Sequence, residues 1–307
     1  MPTTTPELFR ALGALCEAPD PAHGRLADAL GLPGRPDAAD HTELFVLQLV
    51  PYASVYLSPD GMLGGETADR VAGFWRALHL TPPPEPDHLA TLLGLYTSLA
   101  EREAAEPDRA RALLWHQARQ ALLWEHLLTW LGPYTTAAAQ TAGPFYAAWA
   151  RLLGDALLNE ARALPPPATP ALHLRESPDP PNPDDGMDAL IRALLAPARC
   201  GLLLTRADLT RGARNSGLAL RLGERAYVLR SQIDQDPAAT LGWLAAEARQ
   251  WSERHRSLEP TLGDVARTWR ARAEATRSVL TRAHRAAMEA GQANTVDDGR
   301  DPAAVPR

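Results

Sequence analysis

The sequence predicts an all-α fold. Three observations carry that expectation: apolar residues recur three and four apart through most of the chain, no segment sustains an alternation of two, and Pro and Gly punctuate the periodic stretches where helices would end. Glu7–Glu17 places Leu8, Leu12 and Leu15 on one face. Pro19, Pro21, Pro33 and Pro36 confine Gly24–Leu32 to a short helix, and Asp40 stands as an N-cap before Glu43–Leu49. Thr67–Leu80 aligns Val71, Phe74, Trp75 and Leu78, and the run from Pro82 to Pro86 stops it. A helix starting near Asp87 buries Leu89, Leu92, Leu93, Tyr96 and Leu99. Pro107-Asp108 opens a long helix to about Leu131, and Pro144 opens one with Phe145, Trp149, Leu152, Leu153 and Leu157 in phase.

The segment 165–186 is Pro-rich and acidic with little to bury, and reads as a linker or as a long surface loop within one domain. Beyond it, Asp188–Leu195, Arg206–Gly217 and Pro237–His255 read as helices. Leu262–Glu289 forms a last one, with a stripe of Leu262, Val265, Trp269, Ala273, Thr276, Leu280, Ala283 and Ala287. Only Glu224–Ile233 is ambiguous between helix and strand. The expected organisation is a helical domain at 1–164, the linker at 165–186, a C-terminal helical extension or second domain at 187–290, and a disordered polar tail at 291–307.

Composition narrows function. Of 307 residues, 45% are hydrophobic, which suits a globular chain. A formal net charge of -6 argues against nucleic-acid binding, including a helix-turn-helix reading of Leu204–Gly217 with its Arg206, Arg211 and Arg214. All 31 basic residues are Arg, which reads as coding bias or as a choice of bidentate carboxylate contacts. Cys16 and Cys200 are too few for a disulfide framework or a Cys-rich zinc site. No His-x-x-x-His or Glu-x-x-His pair offers a helical metal site, and no cofactor is expected. The N-terminus has no basic and apolar leader, and no apolar run reaches the ~18 residues of a membrane span, so the expectation is a cytoplasmic protein without membrane insertion. There is no Gly-x-Ser-x-Gly elbow or Walker loop. The Gly-containing stretch Gly61–Glu66 lacks a Lys and reads as a loop.

Three short constellations remain. Asp87-His88 follows Pro86, so Asp87 can N-cap a helix or the pair can face a groove. His126 and Trp130 share a helix face, as a packing pair or as a groove wall. Tyr52 and Tyr56, also four apart, are core tyrosines or peptide contacts with a hydroxyl handle. As an ordered set, Pro51-Tyr52-Ala53-Ser54-Val55-Tyr56, Phe74-Trp75, Pro86-Asp87-His88-Leu89 and His126-Leu127-Leu128-Thr129-Trp130 before Pro133-Tyr134 resemble the TorD/DmsD/NarJ family of redox-enzyme maturation chaperones. The resemblance covers the first ~164 residues. It departs at Leu92, where the family often has an acidic residue, and at the extra Gly132.

The resemblance implies a TorD-like helical bundle and a non-enzymatic role. The partner would be the precursor of a molybdopterin-dependent oxidoreductase subunit, held by its twin-arginine signal peptide or in apo form until its cofactor is inserted. It also implies domain-swapped homodimers, with 165–186 as the hinge. The peptide surface would comprise Tyr52, Tyr56, Trp75, Asp87, His88, His126 and Trp130, with Asp87 or nearby acids meeting the arginines. Two other classes stay open. A helical scaffold would show an exposed apolar stripe on 262–287, and an enzyme would gather His88, His126 and a carboxylate in one pocket.

Overall fold

The computed structural model describes residues 5–176, 178–182 and 185–298, and among them the only β pairing is one isolated bridge, between Tyr52 and His88. The helices are α1 (Thr5–Ala14), α2 (His23–Leu30), α3 (Ala38–His41), α4 (Ala53–Leu57), α5 (Gly65–Ala77), α6 (Leu89–Ala105), α7 (Arg109–Ala121), α8 (Leu128–Thr141) and α9 (Pro144–Ala163). They are followed by α10 (Leu172–Arg175), α11 (Met187–Leu194), α12 (Pro197–Cys200), α13 (Arg206–Asn215), α14 (Arg225–Gln235), α15 (Pro237–Leu262) and α16 (Asp264–Asp298). α3 widens into a π-helical stretch at Thr42–Gln48, and a second π-helical stretch at Leu122–Leu127 joins α7 to α8. The ambiguous stretch near 224–233 is helix α14, anchored by buried Leu229, Gln232 and Ile233.

Two expected caps change hands. Asp37, not Asp40, caps α3, accepting the amides of Ala39 and Asp40. His88, not Asp87, caps α6 through Nδ1, which accepts the Ala90 N–H at 3.3 Å. The long helix expected to end near Leu131 continues to Thr141, through Pro133. Proline has no N–H, so the carbonyl four residues back, that of Thr129, loses its helical donor. The Trp269 indole N–H from α16 takes its place at 2.8 Å, buried. The widened turn upstream is served in the same way: Trp130 Nε1 donates to the His126 carbonyl at 2.9 Å and Thr129 Oγ1 to that of Glu125 at 3.0 Å. Side chains thus satisfy carbonyls that buried backbone cannot leave unpaired.

Buried apolar residues from Phe9 to Leu280 form one cluster. α15 and α16 pack along each other and reach α8, where Gly132 lies against Leu258 and Leu262. Gly201, at φ +73, lets the end of α12 approach α16 so closely that a Cβ there would lie 2.6 Å from the Ala273 nitrogen. Of the expected stripe, Leu262 at the end of α15 and Val265, Trp269, Ala273, Thr276 and Leu280 on α16 are buried and Ala283 and Ala287 half-buried, so it is not the exposed stripe that a scaffold reading requires. The segment expected to bury little is partly seated. Leu172 N–H donates to both Glu125 carboxylate oxygens, His173 and Pro181 are buried, and Arg70 pairs with Glu176. Of the expected tail from 291, residues up to Asp298 continue α16, and 299–307 lie outside the described residues. No helix among the described residues is long and apolar enough to cross a membrane.

Candidate functional site

The seven residues singled out in sequence fall into three neighbourhoods. The first joins Tyr52, Asp87 and His88. The segment 87–89 pairs with 51–53: Leu89 N donates to the Pro51 carbonyl at 2.8 Å and Ala53 N to that of Asp87 at 3.1 Å. The buried Asp87 carboxylate accepts the Ser54 N–H at 2.9 Å, which caps α4 rather than the helix Asp87 precedes. It is thereby spent on backbone and turned away from solvent. The His88 ring meets the Tyr52 ring edge to face at 4.8 Å, and Glu17 Oε1 lies 3.8 Å from Nδ1. Because Nδ1 accepts from Ala90, the neutral ring carries its proton on Nε2. Burial holds His88 below its ordinary pKa, against the pull of Glu17, Glu85 and Asp87. Burial also pushes the Tyr52 hydroxyl up to about 12, aided by its hydrogen bond to Glu85. Tyr52 is half-buried while Glu17 and Glu85 are exposed, so this surface offers an aromatic face between two carboxylates.

The second neighbourhood is interior. Tyr56 stacks on Trp130 with centroids 5.3 Å apart and planes 9° from parallel, and Tyr134 closes on both rings edge to face. The Tyr56 and Tyr134 hydroxyls donate to the carbonyls of Val50 and Leu49. Tyr56 is 3% exposed and Trp130 fully buried, so neither ring faces an open groove. Their chemistry is that of packing, since both polar atoms are used on backbone.

The third neighbourhood surrounds His126 in the π-helical turn. Its ring lies 5.1 Å from Phe74 and 6.0 Å from His173, and Nδ1 is buried with no hydrogen-bond partner, as is His173 Nε2. Burial drives His126 down to about 3 and His173 down to about 4. A cavity of about 360 Å³ opens beside them, walled by Phe74, Trp124, Glu125, His126, residues 166–171 and residues 260–265 at the α15–α16 turn. Burial raises the Glu125 carboxyl despite the amides it accepts from Leu172 and His173. Trp75 is half-buried on α5, next to Phe74, with its indole N–H unpartnered. His88 and His126 therefore stand in different surroundings, not in one pocket.

The sequence pattern does not mark Glu17, Glu85, Glu125 or His173 as site residues, and it marks Phe74 only beside Trp75. Glu85 does carry a local signal, an acid inside the Pro82–Pro86 run that precedes Asp87. Nothing local marks Glu17 or His173.

Residues 15–136 match the family model described as nitrate reductase delta subunit. The matched stretch lies within the first half of the chain. Over 115 residues the chain is 34% identical to chaperone protein TorD of Vibrio vulnificus strain YJ016, and equally to that of strain CMCP6. Those alignments cover 34% of this chain and 52% of each relative, so the chain spans about half the length of the curated relatives it matches. The matched segment contains the whole Tyr52–His88 surface, with Glu17 and Glu85, and the π-helical turn at His126. It stops short of residues 166–171, α15 and α16, which complete the walls of the cavity.

Proposed function

We propose that this protein is a cytoplasmic maturation chaperone for a redox enzyme. It holds the twin-arginine signal peptide, or the apo form, of a molybdopterin-dependent oxidoreductase subunit until the cofactor has been inserted. The observation that carries this reading is the Tyr52–His88 surface inside the TorD/NarJ-type segment, where exposed Glu17 and Glu85 flank an aromatic pair. Two carboxylates beside an aromatic face suit a pair of guanidiniums, through charge-assisted hydrogen bonds and stacking. Since Asp87 is spent on α4, Glu17 and Glu85 take the role that sequence reasoning gave to Asp87 or its acidic neighbours. The cavity at Phe74, Trp124 and His126 accepts apolar side chains of the client. Tyr56 and Trp130 act by setting the packing behind both. Exchange of helices about 165–186 to form a dimer belongs to the same reading, and light scattering of the purified protein measures it.

The test is fluorescence anisotropy with the labelled signal peptide of a molybdopterin-dependent oxidoreductase from the native host, alongside capture of the full-length apo subunit. Glu17→Gln with Glu85→Gln weakens peptide binding by about tenfold or more, as does changing the two peptide arginines to glutamine. Phe74→Ala weakens binding without removing the arginine dependence. Peptide and apo-subunit binding that ignores both the two carboxylates and the two arginines would sink the assignment of this surface. Failure to bind either form of the client would sink the chaperone reading itself.

A further inference from the structure

A second cavity, of about 580 Å³, lies away from the Tyr52–His88 surface, between the loop after α4 and the start of the C-terminal half. Four arginines line it: Arg192 from α11, Arg199 from α12, Arg206 at the start of α13 and Arg225 at the start of α14. None of the four makes an ion pair among the described residues. Three of them are held by neutral backbone carbonyls: Arg199 Nε by Asp179 at 3.2 Å, Arg206 Nη1 by Gly223 at 3.2 Å and Arg225 Nη1 by Leu204 at 2.9 Å. Each contact uses one N–H of five and neutralises no charge, so the guanidiniums are oriented while most of their donors remain free.

Two carboxylates share the lining, Asp60 and Glu224. Asp60 is occupied by the Ser58 hydroxyl and the Met62 N–H, at 2.9 and 3.0 Å, and these bonds keep it below the usual carboxylate range. The local balance is thus cationic in a chain whose net charge is -6. Burial lowers the Arg225 guanidinium, and Arg206 acts in the same direction. A desolvated cation next to another cation is unfavourable until an anion joins them.

The remaining wall is apolar and fixed in place. Gly61, at φ +69, seats the loop on the end of α11: a Cβ there would lie 3.1 Å from the Leu195 carbonyl oxygen and 3.2 Å from the Ala196 Cα. That contact presents Met62, 65% exposed, and Leu195 to the same space.

We propose that this cavity binds a small organic molecule bearing a diphosphate group. Four guanidiniums from four separate helices provide more paired donors than a single phosphate can accept, and Arg matches phosphate oxygens bidentately. The volume suits a small molecule rather than a polymer. Met62 and Leu195 give the organic part a surface to rest on. The site is formed mainly by residues beyond 136, and it stands independently of the client-binding reading.

The experiment is isothermal titration calorimetry of the full-length protein with inorganic pyrophosphate and with ADP. Both bind, ADP more tightly than pyrophosphate, and binding weakens as salt rises. Arg192→Gln with Arg206→Gln, both at exposed positions, lowers affinity by about tenfold or more while leaving the melting temperature unchanged. Arg225→Gln lowers it further, with circular dichroism confirming the fold. The proposal is overturned if neither probe binds at millimolar concentration, or if binding survives the Arg192/Arg206 substitutions. It is also overturned if an acidic peptide such as oligoglutamate competes as well as ADP, which would make the cavity a general polyanion surface.

Discussion

Stability falls by about 4 kcal/mol between pH 7.5 and pH 5.5, from three buried histidines alone. His126 is held down to about 3, His173 to about 4 and His255 to about 4, in each case chiefly by burial. The folded state therefore resists protons that the unfolded chain accepts at an ordinary pKa near 6.5. The sign follows: the neutral imidazoles contribute full stability above pH 6.5, and that stability is lost as pH falls from there toward 3 or 4. Each group contributes a slope of about 1.4 kcal/mol per pH unit once the unfolded imidazole is protonated. His88, also lowered, adds in the same direction. Carboxylates with lowered values, such as Glu103 and Glu274, lose their contributions only at more acid pH. Against a typical total of about 5–15 kcal/mol, a loss of about 4 kcal/mol is a large fraction of the stability. Urea titrations at pH 7.5, 6.5 and 5.5 measure it, and His173→Phe reduces the slope by about one proton. A free energy that is flat over this range would refute the account.

The same histidines show what sequence can and cannot convey. Helices were legible because burial on one side imposes spacings of three and four, as in Leu89, Leu92, Leu93, Tyr96 and Leu99, all buried in α6. α14 was ambiguous because its buried set is small and includes a glutamine. Where a polar group finds its partner far along the chain, local pattern is silent. Asp87 sits where an N-cap belongs, yet its carboxylate serves Ser54, 33 residues earlier. His126 and Trp130 stand four apart, but a π-helical stretch ends between them: the indole donates to the His126 carbonyl and its ring stacks on Tyr56, while the His126 ring meets Phe74 and His173. The acids placed to meet a cationic partner, Glu17 and Glu85, come from separate loops: the pairing of 51–53 with 87–89 brings Glu85 to Tyr52, and the packing of α1 on α6 brings Glu17 to His88.

Trp269→Ala destabilises the protein by about 3–5 kcal/mol, and Trp269→Phe by about 1–3 kcal/mol. The first removes a fully buried ring and leaves a cavity. The second keeps most of the packing and removes the N–H that the Thr129 carbonyl depends on. That dependence exists because Pro133 cannot donate, which gives a test specific to the mechanism. Pro133→Ala restores a helical N–H opposite Thr129. It should recover stability in the Trp269→Phe background and be near neutral alone, in a double-mutant cycle read by urea denaturation. If Trp269→Phe is as stable as the parent, or if Pro133→Ala fails to narrow the gap, the carbonyl is not the weak point. The bond also bears on the cavity beside His126, because Asp264, Val265 and Arg267 wall it from the turn of α16 just before Trp269. Loosening Trp269 frees that wall, so the variants should alter client binding as well as stability. Residues 15–136 contain both Thr129 and Pro133, while the donor that completes them lies in the unmatched half. The matched segment of this chain is thus completed by its own C-terminal helix, and a truncation ending at 164 should expose an unpaired carbonyl where α8 and α16 now meet.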